Sequence, residues 1–267
     1  MPLIYEPKGK AREYSPLALN YYKGCDHGCQ YCYCKTMPYI EHGTTVTVRQ
    51  NFQSKLTTEL AKNQIENQVL LSFISDPYCK TNNSLKITRF VLQSLLTKNI
   101  PVAILTKGGT HALQDLDLFI KHKNIIKIGA TLTCDNNTDS KTNEPGAALP
   151  ADRLEMLSQI HQAGIRTWVS IEPVLFPDQS LNLIKESMPF VNEFMIGKLN
   201  HKSTPTDWHQ FLITVVPLLR QNQKQFYIKA DLAKFSNGFH LNPHEIDMDY
   251  LALKTNSRPR QSQACLF

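Results

Sequence analysis

The chain has 267 residues, a formal net charge of +6, and 42% hydrophobic and 19% charged residues. This composition supports a sizeable core and excludes wholesale disorder, and no run approaches the ~18 consecutive apolar residues of a membrane span. The mildly basic balance permits a nucleic-acid partner without demanding one. The opening residues lack the basic-then-apolar pattern of a secretory signal, so the expected compartment is the cytoplasm.

In chain order, residues 1–15 are polar, with Pro2, Pro7, Lys8, Lys10 and Arg12, and read as a leader lying on the surface. Leu17–Tyr22 reads as a strand entering a cysteine-rich loop at 24–35. Phe52–Ile65 has helical spacing, Val69–Ser75 is a buried-strand run, and Leu85–Leu96 is helical with Ser84 as its N-cap. A strand over Val102–Thr106, a helix over His111–Lys121 and a strand over Ile126–Thr133 follow. The polar stretch 135–150 contains Pro145 and Gly146 and reads as a loop. Ala151–Ala163 is helical with Gly164 as a C-cap, Thr167–Val174 a strand, Leu181–Ser187 a short helix and Glu193–Gly197 a strand. Asp207–Leu219 is helical, Gln225–Ala230 is a last strand, and periodicity is weak after Leu232.

Strand and helix thus alternate with short links, which predicts an α/β fold with a parallel sheet flanked by helices. A full eight-fold barrel takes ~250 residues. The leader and the tail consume some of the length here, so an incomplete barrel of six or seven units fits better, in one domain. The strands end at polar groups: Cys25–Cys34, Ser75–Asp76, Lys107, Thr131–Thr133, Glu172, Lys198–Asn200 and Lys229–Asp231. Carboxyl ends of strands build the active site in such folds, so these groups are expected to line one cavity.

There are seven cysteines, Cys25, Cys29, Cys32, Cys34, Cys79, Cys134 and Cys265. An odd number without a signal peptide argues against a disulfide framework. Cys25, Cys29 and Cys32 form C-x3-C-x2-C on one loop. Three thiolates so placed can hold three irons of a [4Fe–4S] cube and leave the fourth iron open to a small chelator. Gly24 and Gly28 let the loop bend around it. The rivals are a zinc site that takes Cys34 as fourth ligand and a redox dithiol of Cys29 and Cys32.

With Tyr31 just before its third cysteine, this loop resembles the signature of the radical SAM superfamily. The stretches LTKGG (105–109) and EPGAALPADRLEMLSQIHQAGI (144–165) resemble the branch containing spore photoproduct lyase, over roughly residues 16–200. The resemblance implies a partial TIM-type (β/α)6 barrel spanning the chain, with a core at about 16–232, the leader 1–15 and a C-terminal extension 233–267. It also implies a [4Fe–4S] cluster and S-adenosyl-L-methionine (SAM) as cofactors. An electron donor such as flavodoxin or ferredoxin would complete the set. One electron would cleave the C5′–S bond of SAM, and the resulting radical would abstract a substrate hydrogen.

Carried over residue by residue, Cys25, Cys29 and Cys32 are the metal ligands and Tyr31 packs near the adenine. Ser75 and Asp76 touch the cofactor, Lys107 meets its methionyl carboxylate, and Thr131 occupies a hydroxyl position. Ile74 stands where spore photoproduct lyase has its hydrogen-donating cysteine, which counts against photoproduct repair by that route. Cys79 and, second, Cys134 are the candidates to replace it, and Glu172 is expected at the cavity mouth, in reach of substrate. Cys34 is expected to point away from the cluster.

Three functions compete. The first is a radical SAM enzyme repairing or modifying nucleic acid, favoured by net charge and by Lys198, Lys202, Lys224 and Lys229 near the later strand ends. A polymer would bind across the lateral opening of an incomplete barrel. The second is a radical SAM enzyme acting on a small molecule, peptide or protein. The third is a non-enzymatic zinc- or iron-binding protein.

Overall fold

The computed structural model describes residues 2–36, 45–199 and 205–248. Its elements run β1 (Ile4–Tyr5), β2 (Leu17–Leu19), β3 (Tyr22–Lys23), β4 (Thr47–Val48), α1 (Phe52–Lys62), β5 (Val69–Leu71), α2 (Asn82–Leu85) and α3 (Ile87–Leu96). They continue with β6 (Val102–Thr106), α4 (Leu116–Lys121), β7 (Ile126–Thr131), α5 (Asn137–Asn143), α6 (Pro150–Gln162), β8 (Arg166–Val174) and α7 (Pro177–Ser187). The last are β9 (Glu193–Lys198), α8 (Trp208–Gln221), β10 (Gln225–Ile228), α9 (Ala230–Ala233) and α10 (Pro243–Ile246).

One sheet carries the fold, in the order β1-β2-β5-β6-β7-β8-β9-β10. From β2 to β10 every pairing is parallel, and only β1 runs antiparallel on its edge. β1 and β10 are not paired with each other, so the barrel is partial, as expected.

Side-chain alternation sorts each strand into an outer and an inner row. Val102 and Ile104, Ile126 and Ile128, Val169 and Ile171, and Phe226 and Ile228 join the large core between sheet and helices. The intervening residues Leu70, Ala103, Trp168, Met195 and Tyr227 pack with Tyr14 in a second cluster inside the barrel. The same parity turns Lys107, Thr131, Glu172 and Lys229 inward at the carboxyl ends, and all four line one cavity. At the opposite end Lys127 and Glu193 form a buried ion pair, which the partly exposed Arg166 joins.

Several expectations are corrected. The leader is not a surface segment. Ile4 and Tyr5 add the edge strand, and Tyr14 is buried inside the barrel. Glu13 accepts from Tyr227 Oη at 2.9 Å and from the Ala230 backbone at 2.8 Å, tying the leader to the far edge of the sheet. The leader therefore straps the lateral opening that was expected to admit a polymer. Ser84 is not a cap. It lies inside α2, and α3 begins after Lys86, whose φ of 53° breaks the two helices apart. The 135–150 loop contains α5, capped by Asn136, whose side chain accepts from the Asp139 backbone at 2.9 Å. The buried run from Val69 stops pairing at Leu71, because Ser72 turns to a φ of 54°. Lys202 and Cys265 lie outside the described residues. Among the described residues no helix is long and apolar enough to cross a membrane.

Candidate active site

The cysteine loop leaves β3 through Gly24 and turns again at Gly28, with φ of 74° and 64°, values that favour glycine. Its outer flank is held by the last residue of α5 and the segment that follows it. The Gln30 backbone donates to Asn143 O at 2.8 Å, and Gly146 donates to His27 O at 2.8 Å. A side chain at Gly146 is excluded, since its Cβ would lie 2.0 Å from Asp26 O.

Cys25, Cys29 and Cys32 all line a cavity of about 780 Å³ together with Tyr31, Ser75, Asp76, Lys107, Thr131 and Glu172. The structure thus brings together nine of the eleven candidate residues named from the sequence. Cys25, Cys29, Cys32 and Cys34 are free thiols. Burial raises the pKa of Cys25 and Cys29, and in both cases nearby acidic groups add to the rise. Among the described residues no three or more His, Cys, Asp or Glu groups converge as a single metal ion requires.

Cys79 is one of the two exceptions. It is fully buried in the outer core and does not line the cavity. Burial pushes its thiol up to about 12, and its backbone is spent on the turn that starts α2. Cys134 is also buried and outside the cavity. Cys34, expected to point away, instead lines the cavity wall, and its hydrogen bond with Cys32, followed by burial, raises its pKa.

Asp76 is buried with both oxygens engaged. Oδ1 accepts from the Tyr78 backbone at 2.7 Å and from Thr106 Oγ1 at 2.6 Å. Oδ2 accepts from the Lys107 backbone at 2.7 Å and stands 3.0 Å from His27 Nε2. Burial alone would raise its pKa, but His27 and these hydrogen bonds outweigh burial and lower it to about 2. Asp76 therefore ties the cysteine loop to the end of β6. Ser75 Oγ donates to Gly24 O at 2.6 Å, a second tie to the same loop.

Lys107 is the group these ties position. Its Nζ lies 5.5 Å from the centre of the Tyr31 ring. Burial opposes its charge, yet Cys29 and Glu144 outweigh burial and raise its pKa, so the ammonium stays protonated. Among the described residues no carboxylate forms an ion pair with it. It is a cation facing a cavity and free to take an anion.

Two residues carried only within the quoted 144–165 stretch prove central. Arg153 and Glu144 form a buried ion pair at 2.5 Å. Arg153 also donates to Ala148 O and to Thr131 O, and Tyr31 Oη donates to Glu144. The pair fixes the aromatic wall beside Lys107. A run of charge and proline in sequence signals a loop, and nothing local reveals this pairing.

The far wall is another polar network. Lys229 Nζ lies 2.6 Å from Glu172 and 3.3 Å from Glu13, and 4.1 Å from the centre of the Tyr14 ring. Tyr14 Oη bonds Ser170 at 3.0 Å and donates to Glu172. Burial, then Glu172, hold the Tyr14 phenol well above its ordinary pKa. Gly197 makes room for the pair, since its Cβ would lie 2.8 Å from Glu172 Cδ. Lys229 is thus an interior ion-pair partner and no surface phosphate contact. Lys224 sits at the amino end of β10 and donates to Val191 O at 2.9 Å, on the opposite end of the barrel from the cavity.

Comparison with known proteins adds to this geometry. The model of the Radical SAM superfamily matches residues 19–191. An uncharacterized protein of Methanocaldococcus jannaschii is 31% identical over 193 residues, covering 70% of this chain and 71% of that one. A spore photoproduct lyase mutant with bound AdoMet and dinucleoside spore photoproduct superposes with a TM-score of 0.61 at 13% identity, covering 84% of this chain and 78% of that one. SuiB of Streptococcus suis bound to its precursor peptide SuiA superposes with a TM-score of 0.62 at 13% identity, covering 84% of this chain. The chain spans about half of SuiB, 52%. At such identities these two likenesses speak for the fold.

Proposed function

Since the chain belongs to the radical SAM superfamily, we propose that it holds a [4Fe–4S] cluster on Cys25, Cys29 and Cys32 and binds SAM against it. The carrying observation is that one cavity gathers these three free thiols and the unpaired Lys107 ammonium. The donor set fits the group: each thiolate of a cube serves its own iron, so the three need not meet at one point as ligands of a single ion do. When bound, the cluster and SAM supply reductive C5′–S cleavage and a radical that takes a hydrogen atom from substrate.

The residues of this chain have distinct tasks in that reaction. Lys107 pairs with the methionyl carboxylate, and Tyr31 stands beside it as a wall whose phenol is held by Glu144. Thr131 Oγ1 is offered to the cofactor while its carbonyl is held by Arg153. Leu70, Phe73, Ile74 and Leu105 line the cavity between its two polar ends and keep water from the reacting centre. Glu172, braced by Lys229 and Tyr14, faces the substrate side.

For the substrate we favour a nucleic acid or nucleotide-derived molecule, supported by the net charge of +6 and by the resemblance of the 105–109 and 144–165 stretches. It would enter over the loop ends, past Lys8 and Leu199, because the leader occupies the side. One observation favours the second reading, a small molecule or peptide. The chamber is strapped laterally, and Lys224 and Lys229 do not face an approaching polymer. Anaerobic reconstitution, followed by assay of 5′-deoxyadenosine under dithionite and SAM, tests the reaction. Binding of DNA and RNA across a salt series tests the substrate. Affinity falling with a log–log slope of about −0.7 per phosphate contact supports single-stranded nucleic acid, and no binding at low salt refutes it.

A further inference from the structure

Side chains alternate along β5: Val69 and Leu71 enter the outer core, and Leu70 enters the cluster inside the barrel. Continued alternation would send Phe73 outward, away from the cavity. Instead Ser72 takes a φ of 54°, a region that residues other than glycine rarely occupy. Phe73 then packs on the inner cluster and lines the cavity. Two hydrogen bonds hold the segment on that course. Tyr33 Oη donates to Phe73 O at 3.0 Å, and the Ile74 backbone donates to Asn20 Oδ1 at 3.1 Å. A large apolar ring is thus turned from the core onto the chamber wall, where it stays only half-buried. Backbone strain of this kind clusters at ligand sites.

Phe73 is the middle of a row of three rings. Its centroid lies 5.6 Å from that of Tyr14, with the planes at 64°, and 5.8 Å from that of Tyr33, at 48°. Both neighbours line the same cavity. Neither is parallel to Phe73, and among the described residues no third ring meets it, so no ring of the protein stacks flat on it. The row runs from the cysteine loop, which carries Tyr33, to the Glu172–Lys229 network, which holds Tyr14. Tyr31 serves the other half, beside Lys107. The cavity, about 780 Å³, has the size of a small-molecule site. With SAM in it there is room for one further ring and not for a length of strand. Every nucleobase has a face that stacks on an aromatic side chain.

Resting on the nucleic-acid reading above, we propose that Phe73, between Tyr14 and Tyr33, is the platform on which a single nucleobase of the substrate stacks inside the chamber. A base that belongs to a strand is turned out of it to reach the platform. The experiment is calorimetry at low salt on the reconstituted protein with SAM, using two short unlabelled single strands. One has mixed sequence; the other is abasic throughout, with the same phosphates and no rings. The intact strand is expected to bind about 5- to 150-fold tighter, the range for stacking a base on an aromatic side chain. Phe73→Leu should remove most of that advantage and leave the affinity for the abasic strand unchanged, whereas Phe73→Trp should keep it. Iron content and Tm show that the variants are intact. Adenosine and thymidine alone decide the source: binding as tight as the strand's identifies a free nucleoside, and much weaker binding identifies a base turned out of a strand.

A parental preference for the intact strand in Phe73→Leu overturns the platform and leaves the nucleic-acid reading standing. Equal affinity of the parent for the intact and abasic strands does the same. No binding of either strand or of the nucleosides refutes the nucleic-acid reading and the platform with it. Tighter binding of N-acetyltryptophanamide than of either nucleoside gives the ring site to a peptide and overturns the nucleobase. Should Phe73→Leu unfold or lose its iron, Phe73→Met takes its place with the same outcomes.

Discussion

Asp76→Asn separates two roles for one buried carboxylate. In the sequence Asp76 reads as a cofactor contact; in the fold each of its oxygens already serves the protein. The lowering of its pKa from 3.8 to about 2 corresponds to about 2.5 kcal/mol of stability at neutral pH. An amide adds a second cost. Its NH2 group would face the backbone donor of Lys107 or of Tyr78, at about 1–3 kcal/mol for the unsatisfied pair. The expected loss is therefore about 3.5–5.5 kcal/mol, or roughly 7–22 °C in Tm for a chain of this size. Urea and thermal unfolding of the apoprotein read it without reference to the cofactor.

The pH dependence carries the same signature. A carboxylate whose folded pKa is depressed contributes fully above its unfolded value and loses that contribution as pH falls through the folded one. Asp76 should thus stabilise the protein above pH 3.8 and cease to do so near pH 2, and the Asn variant should lack that segment of the stability profile. If Asp76→Asn folds with parental stability yet binds no SAM, the carboxylate contacts the cofactor and its role as a brace is wrong.

Replacing Cys25, Cys29 or Cys32 by Ala should abolish iron uptake and 5′-deoxyadenosine formation, while Cys34→Ala should retain about four irons per chain by colorimetric assay. Lys107→Met should keep the cluster and weaken SAM binding by about 1.5–3 kcal/mol in calorimetry, the worth of a charge-assisted contact. Lys229→Met leaves Glu13 and Glu172 without their shared cation at the barrel edge. It should cost about 3–5 kcal/mol in urea unfolding and open the leader to limited proteolysis ahead of the rest of the chain. Cys79→Ala should leave 5′-deoxyadenosine formation at the parental rate, since the thiol lies outside the cavity.

The parts legible in the sequence are those set by local pattern. The apolar runs Val102–Thr106 and Ile126–Thr131 mark strands, and the position of Lys107 and Thr131 at their carboxyl ends points both at the cavity. The cysteine spacing and its two glycines define the loop in the same way. What stayed hidden depends on contacts between residues distant in sequence. Glu13 and Tyr14 sit in a polar stretch with no periodicity, and the partners that bury Glu13 are 214 and 217 residues away. Cys79 was misplaced for a related reason. Distance along the chain from Ser75 suggested the cavity, but the turn at Asp76 to Tyr78 swings the next residue into the outer core.

The placement of the leader changes what the partial barrel can admit. An open-sided barrel would let a polymer lie across the sheet edge, with lysines of the last strands as its contacts. Here the gap between the edge strands is filled by residues of the chain itself, fixed to β10 and α9 through Glu13, through Lys229 and through the Lys10–Asp231 ion pair. Substrate selection thus passes from the side of the barrel to its mouth, where Lys8, Gly9 and Leu199 stand over the cavity. The wall facing an entering group is then the Tyr14–Glu172–Lys229 network, and Tyr14 comes from before the first parallel strand. Variation in the opening residues can therefore alter the chamber while the cysteine loop and Lys107 stay unchanged. The half that holds the three thiols and Lys107 and the strap are separable on one scaffold, because among the described residues no hydrogen bond of Glu13 or Tyr14 reaches the cysteine loop.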